Sequence, residues 1–371
     1  MKALFLIFHG FDPSNGISKK IHYQVKALKQ CGLDVELCSY DVALDGRRCW
    51  KVDGRIIADL GTGIRAKLKR HIDYSPIVQY VKENNIEFVY MRSYHNANPF
   101  TINMVRSMKR VVAKVVMEIP TYPYDQEYVV LSMKIELAVD RLFRHSLAKH
   151  LDGIVTFSNA LRIFGKNTIR ISNGIDFDAI PLKEHQNDTS KELHLIAVAE
   201  IHDWHGYDRL VRGLAEYYRT NPSYKVYFHL LGYFYSITGE KEFDQIVREN
   251  DVESYVIFHG AKSGKELDEL FEKCDFAIGS LGRHRSGITY IKTLKNREYA
   301  ARGFSFIYSE TDEDFDAQPY VLKAPADESP IDINRIIDFY SSLKTSPEDI
   351  RASIKHLSWS VQMQKVLDVL Y

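Results

Sequence analysis

The feature that most constrains this chain is an alternation of strand and helix patterns that runs, lapses once, and starts again. Leu4 to Phe8 is a continuous apolar run, as expected of a strand buried on both faces. Ile17, Ile21, Val25 and Leu28 then recur at helical spacing and share one face. Gly32 ends that helix, and Val35–Tyr40 reads as the next strand. Further strand patterns follow at Phe88–Met91, Val111–Met117, Ile154–Phe157 and Ile169–Ile171. Over 179–192 the periodicity is lost in a polar stretch that holds Pro181. It returns with strands at Leu193–Val198, Val226–Leu231, Val256–His259, Phe276–Ile278 and Phe304–Tyr308. Such alternation implies parallel sheets with right-handed crossovers. The expected architecture is α/β: two doubly wound, Rossmann-like domains facing a cleft. The first spans 1–178, a linker 179–192, the second 193–357, and 358–371 is a terminal helix packing back on the first domain. Ligands are expected at the carboxyl ends of the strands.

Charge and cysteine usage exclude some classes. The net charge is zero, which argues against a bulk polyanion binder, but the two halves differ. Residues 1–180 carry 26 Lys and Arg against 18 Asp and Glu, and the remainder carry 23 against 31. The four cysteines form no CxxC pair, so neither a zinc site nor a disulfide framework is indicated. The apolar run Ala3–Phe8 is too short for a signal or membrane-spanning segment, so a cytoplasmic chain is expected.

Several motif matches fail on chemistry. Gly260–Glu266 is one residue short of a phosphate loop and has Glu266 where Ser or Thr should bind magnesium. No GxGxxG follows the first strand. Asp176-Phe177-Asp178 and Asp314-Phe315-Asp316 match a metal-binding DxD pattern, but three-residue matches are common in a chain this rich in Asp, and both read as turns.

Four segments carry more weight. Ser14-Asn15-Gly16-Ile17-Ser18 offers a glycine and a helix start to a ligand. Ser172-Asn173-Gly174-Ile175-Asp176 is a tight turn just before the linker. Trp204-His205-Gly206-Tyr207 opens the first helix of the second domain, where a basic side chain beside glycine suits a pyrophosphate. Arg283-His284-Arg285-Ser286-Gly287, followed by Lys295 to Gly303, crowds ionisable groups between two strands. Lys295 and Glu298 are three apart and would share a helix face.

In their order and spacing these segments resemble family 4 glycosyltransferases, which have the two-domain GT-B fold and include enzymes that build bacterial surface polysaccharides. The Gly16 loop corresponds to that family's N-terminal glycine loop, and Asn173-Gly174-Ile175-Asp176 to its NGxD segment. Ala197–Gly206 falls on its V-G-R…K-G stretch, and Glu298–Gly303 on its E-A-M-A-x-G helix. The family's basic pair is replaced by Glu200 and His205, and the first acid of its E-x7-E motif by Tyr290. The resemblance implies a retaining, metal-independent hexosyltransferase that needs no cofactor and uses a nucleoside-diphosphate sugar as co-substrate. It implies donor contacts from Gly16, Ile17, Asn173, His205, Arg283, Gly287 and Glu298. Glu298 would hold the donor ribose, and Lys295 and Arg285 would join it in catalysis, with phosphate-binding charge relocated to Arg283, Arg285 and Lys295.

The acceptor, a glycan or lipid-linked glycan, is expected on the first domain. Arg92, Glu118, Tyr122 and Tyr124 lie at strand ends and combine polar groups with stacking faces, although a rigid Pro/Tyr turn is the structural alternative. Ile64, Leu68 and Ile72 alternate with Arg65, Lys67, Lys69, Arg70 and His71. That segment suits either the inner face of an anionic membrane or a helix packing its one apolar stripe on the core. A sugar-nucleotide 2-epimerase of the same fold and a non-catalytic transferase subunit are the alternative functions. No nucleic-acid partner is expected.

Overall fold

The computed structural model describes residues 1–11, 16–111, 114–125, 128, 131–185 and 187–371. It divides into two compact units, Met1–Ser172 with Trp359–Tyr371, and Asn173–Ser358.

In the first unit the strands are β1 (Lys2–Leu6), β2 (Asp34–Val42), β3 (Arg48–Val52), β4 (Arg55–Gly61), β5 (Phe88–Arg92), β6 (Lys114–Ile119), β7 (Gly153–Thr156), β8 (Arg162–Ile163) and β9 (Lys166–Arg170). Its helices are α1 (Gly16–Gln30), α2 (Gly63–Ile72), α3 (Ser75–Glu83), α4 (Pro99–Arg110) and α5 (Leu131–His150). The sheet order is β4-β3-β2-β1-β5-β6-β7-β9-β8. β2, β1, β5, β6, β7 and β9 run parallel, and the flanking β3, β4 and β8 are antiparallel additions. The β3–β4 hairpin escapes the helix–strand reading because it interrupts the alternation. Its signal is the Asp53-Gly54 turn, with both residues at positive φ. The apolar run of β1 is buried from Ala3 onward, and α1 turns Ile21, Val25 and Leu28 inward. Asn98 caps α4 by accepting from Phe100 N and Thr101 N, while Thr101 Oγ1 accepts from Asn98 N.

The second unit holds β10 (Glu192–Ile201), α6 (Tyr207–Arg219), β11 (Lys225–Phe234), α7 (Ile237–Glu249), β12 (Val256–Gly260), α8 (Lys265–Lys273), β13 (Phe276–Ile278), α9 (Leu294–Ala301), β14 (Ser305–Tyr308), β15 (Val321–Lys323), α10 (Ile333–Ser342) and α11 (Pro347–Ser353). Its sheet is all parallel in the order β12-β11-β10-β13-β14-β15. That is the doubly wound order, reversing direction between β10 and β13. One apolar cluster, with Leu195, Leu214 and Phe228, covers one face of this sheet. A second, with Ile196, Phe271 and Phe306, covers the other.

The chain passes between the units at Ser172/Asn173, and the polar 179–192 stretch expected as a linker lies inside the second unit. There Lys183 N bonds Arg302 O, and Asn187 Nδ2 donates to Asp275 Oδ1, so polar composition reflects surface pairing. The last helix, α12 (Trp359–Leu370), belongs to the first unit, where Gln362 Oε1 accepts from Ser172 N. Among the described residues no helix is long and apolar enough to cross a membrane.

The Gly260–Glu266 stretch is a turn leading into α8, with Lys262 paired to Glu266. Asp314 takes the buried Arg297 guanidinium, and Asp316 Oδ1 accepts from Tyr308 OH and Lys323 Nζ at 2.7 Å each. The aspartates of that DxD match thus serve local ion pairs and turns.

Candidate functional site

Each sheet has a switch point where its strand order reverses, and the charged residues singled out in the sequence gather near these two places.

In the first unit the switch lies between β1 and β5. Arg92 ends β5 and stands in register with Glu118 on β6. Its Nη1 donates to Glu118 Oε1 at 2.5 Å. Lys20 of α1 comes within 3.6 Å of the same carboxylate, while Gln24 Nε2 and Tyr90 OH donate to Oε2 at 2.6 and 2.7 Å. Glu118 is fully buried with both oxygens engaged. Burial alone would raise its pKa, but Lys20, Arg92 and the two hydrogen bonds prevail and hold it below the usual carboxylate value. Glu118 therefore positions Arg92 and Lys20 and offers no oxygen to an acceptor. Two cations around one carboxylate leave the cluster with a surplus positive charge.

His9, just past β1, donates from Nδ1 to Gly10 O at 2.8 Å, which leaves Nε2 as its acceptor. Burial lowers the His9 pKa, and Arg92 and Arg70 lower it further. Arg70 of α2 donates to Phe8 O at 2.7 Å and lies over the Tyr40 ring. Lys20 and His9 went unnoticed in the sequence, and Arg70 was read there only as part of the basic 64–72 segment, because all three are distant from Arg92 in the chain. α1 begins at Gly16 with Ile17 exposed, while Ser14 and Asn15 lie outside the described residues.

One of the two tyrosines departs from expectation. Tyr124 is buried, stacks on His95 at 3.8 Å, and donates to Asp140 Oδ2 at 2.5 Å. Tyr122 packs edge-on against Phe164. Tyr124 belongs to the core, and its ring faces are unavailable to a sugar.

In the second unit the switch lies between β10 and β13, and the loops that follow them touch. A 3-10 turn at Asp203–His205 is closed by Gly206 at φ 62°. Leu281 N donates to His205 O at 2.8 Å, and a Cβ on Gly206 would sit 2.5 Å from Gly282 N. Only glycine fits there. Lys295, in the first turn of α9, donates from Nζ to Tyr207 OH at 3.0 Å. Loss of hydration lowers its pKa to about 7, with Glu310 opposing and Arg283 reinforcing the shift. Lys295 does not pair with Glu298. Glu298 Oε1 instead accepts from Nε of Arg302, the residue that caps the C-terminus of α9, at 3.0 Å.

His205 was expected as a basic group, and the structure makes it neutral. It is buried against Tyr207, and burial pushes its pKa well down, helped by Lys295, Arg283 and His202. Nδ1 accepts from His202 N at 3.0 Å, so the ring proton sits on Nε2 as a donor. Arg285 is committed elsewhere: it bonds Asp208 at 2.9 and 3.0 Å, Asp203 Oδ1 at 3.1 Å, and Glu328. With three carboxylates on one guanidinium, it clamps the loop. Arg283 lies over the Trp204 ring, and Gly287 closes its 3-10 turn at φ 67°. Asn173 is held from both ends: Nδ2 donates to Lys292 O at 2.5 Å, and its carbonyl accepts from Arg297 Nε at 2.9 Å.

Glu310, after β14, was missed by sequence reasoning. It is buried, and its Oε1 accepts from Asn296 Nδ2 at 3.2 Å, while Oε2 has no partner among the described residues. Burial raises its pKa, against the pull of its own backbone N–H, Arg283, Asn296 and Lys295. A partnerless buried carboxyl oxygen near a buried lysine of lowered pKa is an arrangement no local sequence pattern reveals.

Two parallel-sheet units with these switch points find their counterpart among solved structures. Over its whole length the chain matches sucrose-phosphate synthase from Thermosynechococcus elongatus, with TM-score 0.65 and 13% identity, covering 98% of that chain. The fold is that of the GT-B glycosyltransferases. HepE of Anabaena in complex with UDP matches with TM-score 0.63 and 15% identity, over 100% of this chain and 99% of that one. The catalytic domain of starch synthase IV from Arabidopsis thaliana, bound to ADP and acarbose, matches with TM-score 0.62 and 14% identity, over 100% and 98%. No protein-family model matches the sequence, and no curated protein matches it either. This GT-B chain thus shares a fold with those enzymes at an identity too low to carry residue roles across.

Proposed function

We propose that this GT-B chain is a retaining glycosyltransferase of the hexosyltransferase type. It moves a sugar from a nucleoside-diphosphate sugar to a hydroxyl of a glycan or lipid-linked glycan. The observation that carries the reading is the β10/β13 switch point. Two glycines hold its loops in contact, and Lys295, Arg283 and the Nε2–H of His205 are grouped near it.

In this reading Lys295 and Arg283 meet the diphosphate, whose oxygens gain charge as the sugar–phosphate bond breaks. Arg285 holds the loop in place and does not touch the phosphate. Glu298 accepts from the donor ribose diol, and Asn173, Gly287, Gly16 and Ile17 complete the donor contacts. The acceptor oxygen attacks the anomeric carbon on the leaving-group face, and its proton passes to the departing phosphate oxygen. Side-chain cations take the place of a metal, and no cofactor is required. Glu310 stands in for the acid absent at Tyr290, and Arg92, positioned by Glu118, binds the acceptor.

A thermal-shift panel of UDP-, GDP- and ADP-sugars tests donor binding, since a ligand of the native state raises the midpoint. Lys295→Ala should weaken nucleoside-diphosphate binding far more than nucleoside binding. Equal losses would remove Lys295 from the phosphate site. Turnover of the donor without release of nucleoside diphosphate would point to an epimerase, and binding without turnover on any acceptor to a non-catalytic subunit.

A further inference from the structure

The first unit carries an apolar surface that its own core does not use. On α2, Ile64, Leu68 and Ile72 follow one another at successive turns and all face solvent, while Ala66 is the residue that packs inward. The stripe is not the core-facing side of the helix. On α5, Leu131, Ile135, Val139 and Leu142 repeat the pattern, with Leu137, Asp140 and Leu147 turned to the core. These seven side chains keep between 42% and 76% of their surface exposed. Both helices pack against α4, and the His71 imidazole on α2 is within electrostatic reach of the Glu136 carboxylate on α5. The stripes therefore belong to one region, larger than singly scattered surface residues would make.

The charge around it has one dominant sign. α2 contains no acid and exposes Arg65, Lys67 and Lys69, and α5 adds exposed Lys134 against Glu136, while its Arg141 is paired with Asp125. Apolar side chains rimmed by flexible cations match a lipid bilayer with anionic headgroups. The apolar groups enter the acyl boundary, and the ammonium and guanidinium groups stay with the phosphates. A second copy of the chain would bring the same cations against themselves, which disfavours that occupant.

We propose that the α2–α5 face seats the first unit on an anionic membrane surface. α2 alone has only three apolar positions, and α5 more than doubles the contact. The proposal is consistent with a lipid-linked acceptor but is tested without substrate, so it stands or falls apart from the transferase reading.

The test uses the full chain and two kinds of vesicle, phosphatidylcholine alone and phosphatidylcholine with phosphatidylglycerol. The chain should sediment with the anionic vesicles at low salt and bind the neutral ones weakly. Added salt should reduce binding by screening the charged rim. Two variants separate the components, Lys67→Glu with Lys69→Glu, and Leu68→Gln with Ile135→Gln. Each should lower the bound fraction about tenfold, with the thermal midpoint unchanged because all four side chains face solvent. Failure of the wild type to bind anionic vesicles at low salt would overturn the proposal, as would wild-type binding by the apolar variant. A lipid-free dimer abolished by that variant would make a second copy the occupant and also overturn it. Loss of transfer to a short water-soluble acceptor with vesicle binding intact would count against the proposed function instead.

Discussion

Glu118→Gln is the substitution whose outcome the structure determines most directly. The wild-type cluster holds Lys20 and Arg92 against one carboxylate, with Glu118 wholly buried and Lys20 and Arg92 nearly so. Glutamine keeps the volume but removes the only negative charge. It also points an NH2 group at positions where Gln24, Tyr90 and Arg92 already donate. Removing one partner from a buried ion pair costs about 3–5 kcal/mol, because the remaining charge stays desolvated. A typical domain has only about 5–15 kcal/mol of stability to lose. Urea unfolding at neutral pH, followed by a probe in the first unit, should show an unfolding free energy lowered by that amount, with the midpoint shifted down accordingly. Adding Lys20→Met to Glu118→Gln restores the original net charge and should recover a substantial part of the loss. In the wild type the Glu118 pKa is depressed, so its contribution is present above the ordinary carboxylate pKa and fades as pH falls through the lower folded value. A Glu118→Gln protein within about 0.5 kcal/mol of wild type would refute the assignment of Glu118 as the counter-charge of this cluster.

Gly206→Ala should destabilise the second unit by roughly 2–4 kcal/mol, since it adds a positive-φ penalty to a Cβ placed against Gly282 backbone; a thermal scan checks this, and an unchanged midpoint would mean the loops are looser than drawn. His95 in the first unit and His229 in the second both have pKa values lowered to about 4, chiefly by burial. His229 Nε2 meets His194 Nδ1 at 2.8 Å, and its Nδ1 meets His259 Nε2 at 2.8 Å, so extra protons fit poorly there. Because the unfolded chain takes up these protons first, stability should fall as pH drops from about 6.5 toward 4, by on the order of 2 kcal/mol per histidine; His229→Gln should flatten the pH dependence of the unfolding midpoint. Glu298→Gln should weaken donor binding by roughly 1–3 kcal/mol and slow transfer at low donor concentration, with a near-normal thermal midpoint because its bond to Arg302 is partly exposed; wild-type transfer by this variant would leave Glu298 only its helix pairing.

What the sequence determined by itself is what local periodicity encodes. The buried run of β1, the apolar face of α1 and the restart of the pattern at β10 need only a side chain's neighbours along the chain. From those, two doubly wound sheets follow. The Gly206 turn and the charge-rich segment before α9 were legible for the same reason, because glycine and clustered cations are local signals. The tertiary structure decided which charges remain available. Arg285 and Lys295 look alike on paper, yet three carboxylates gathered from distant segments satisfy Arg285, while burial lowers the Lys295 pKa. Glu118 looked like a ligand-binding acid and became the anchor of Arg92, because sheet register sets β6 beside β5. His205 lost its charge to burial, and Glu310 acquired its lone oxygen from packing that no spacing announces. A pKa or a free lone pair depends on everything within a few ångströms, and in this fold most of those neighbours come from elsewhere in the chain.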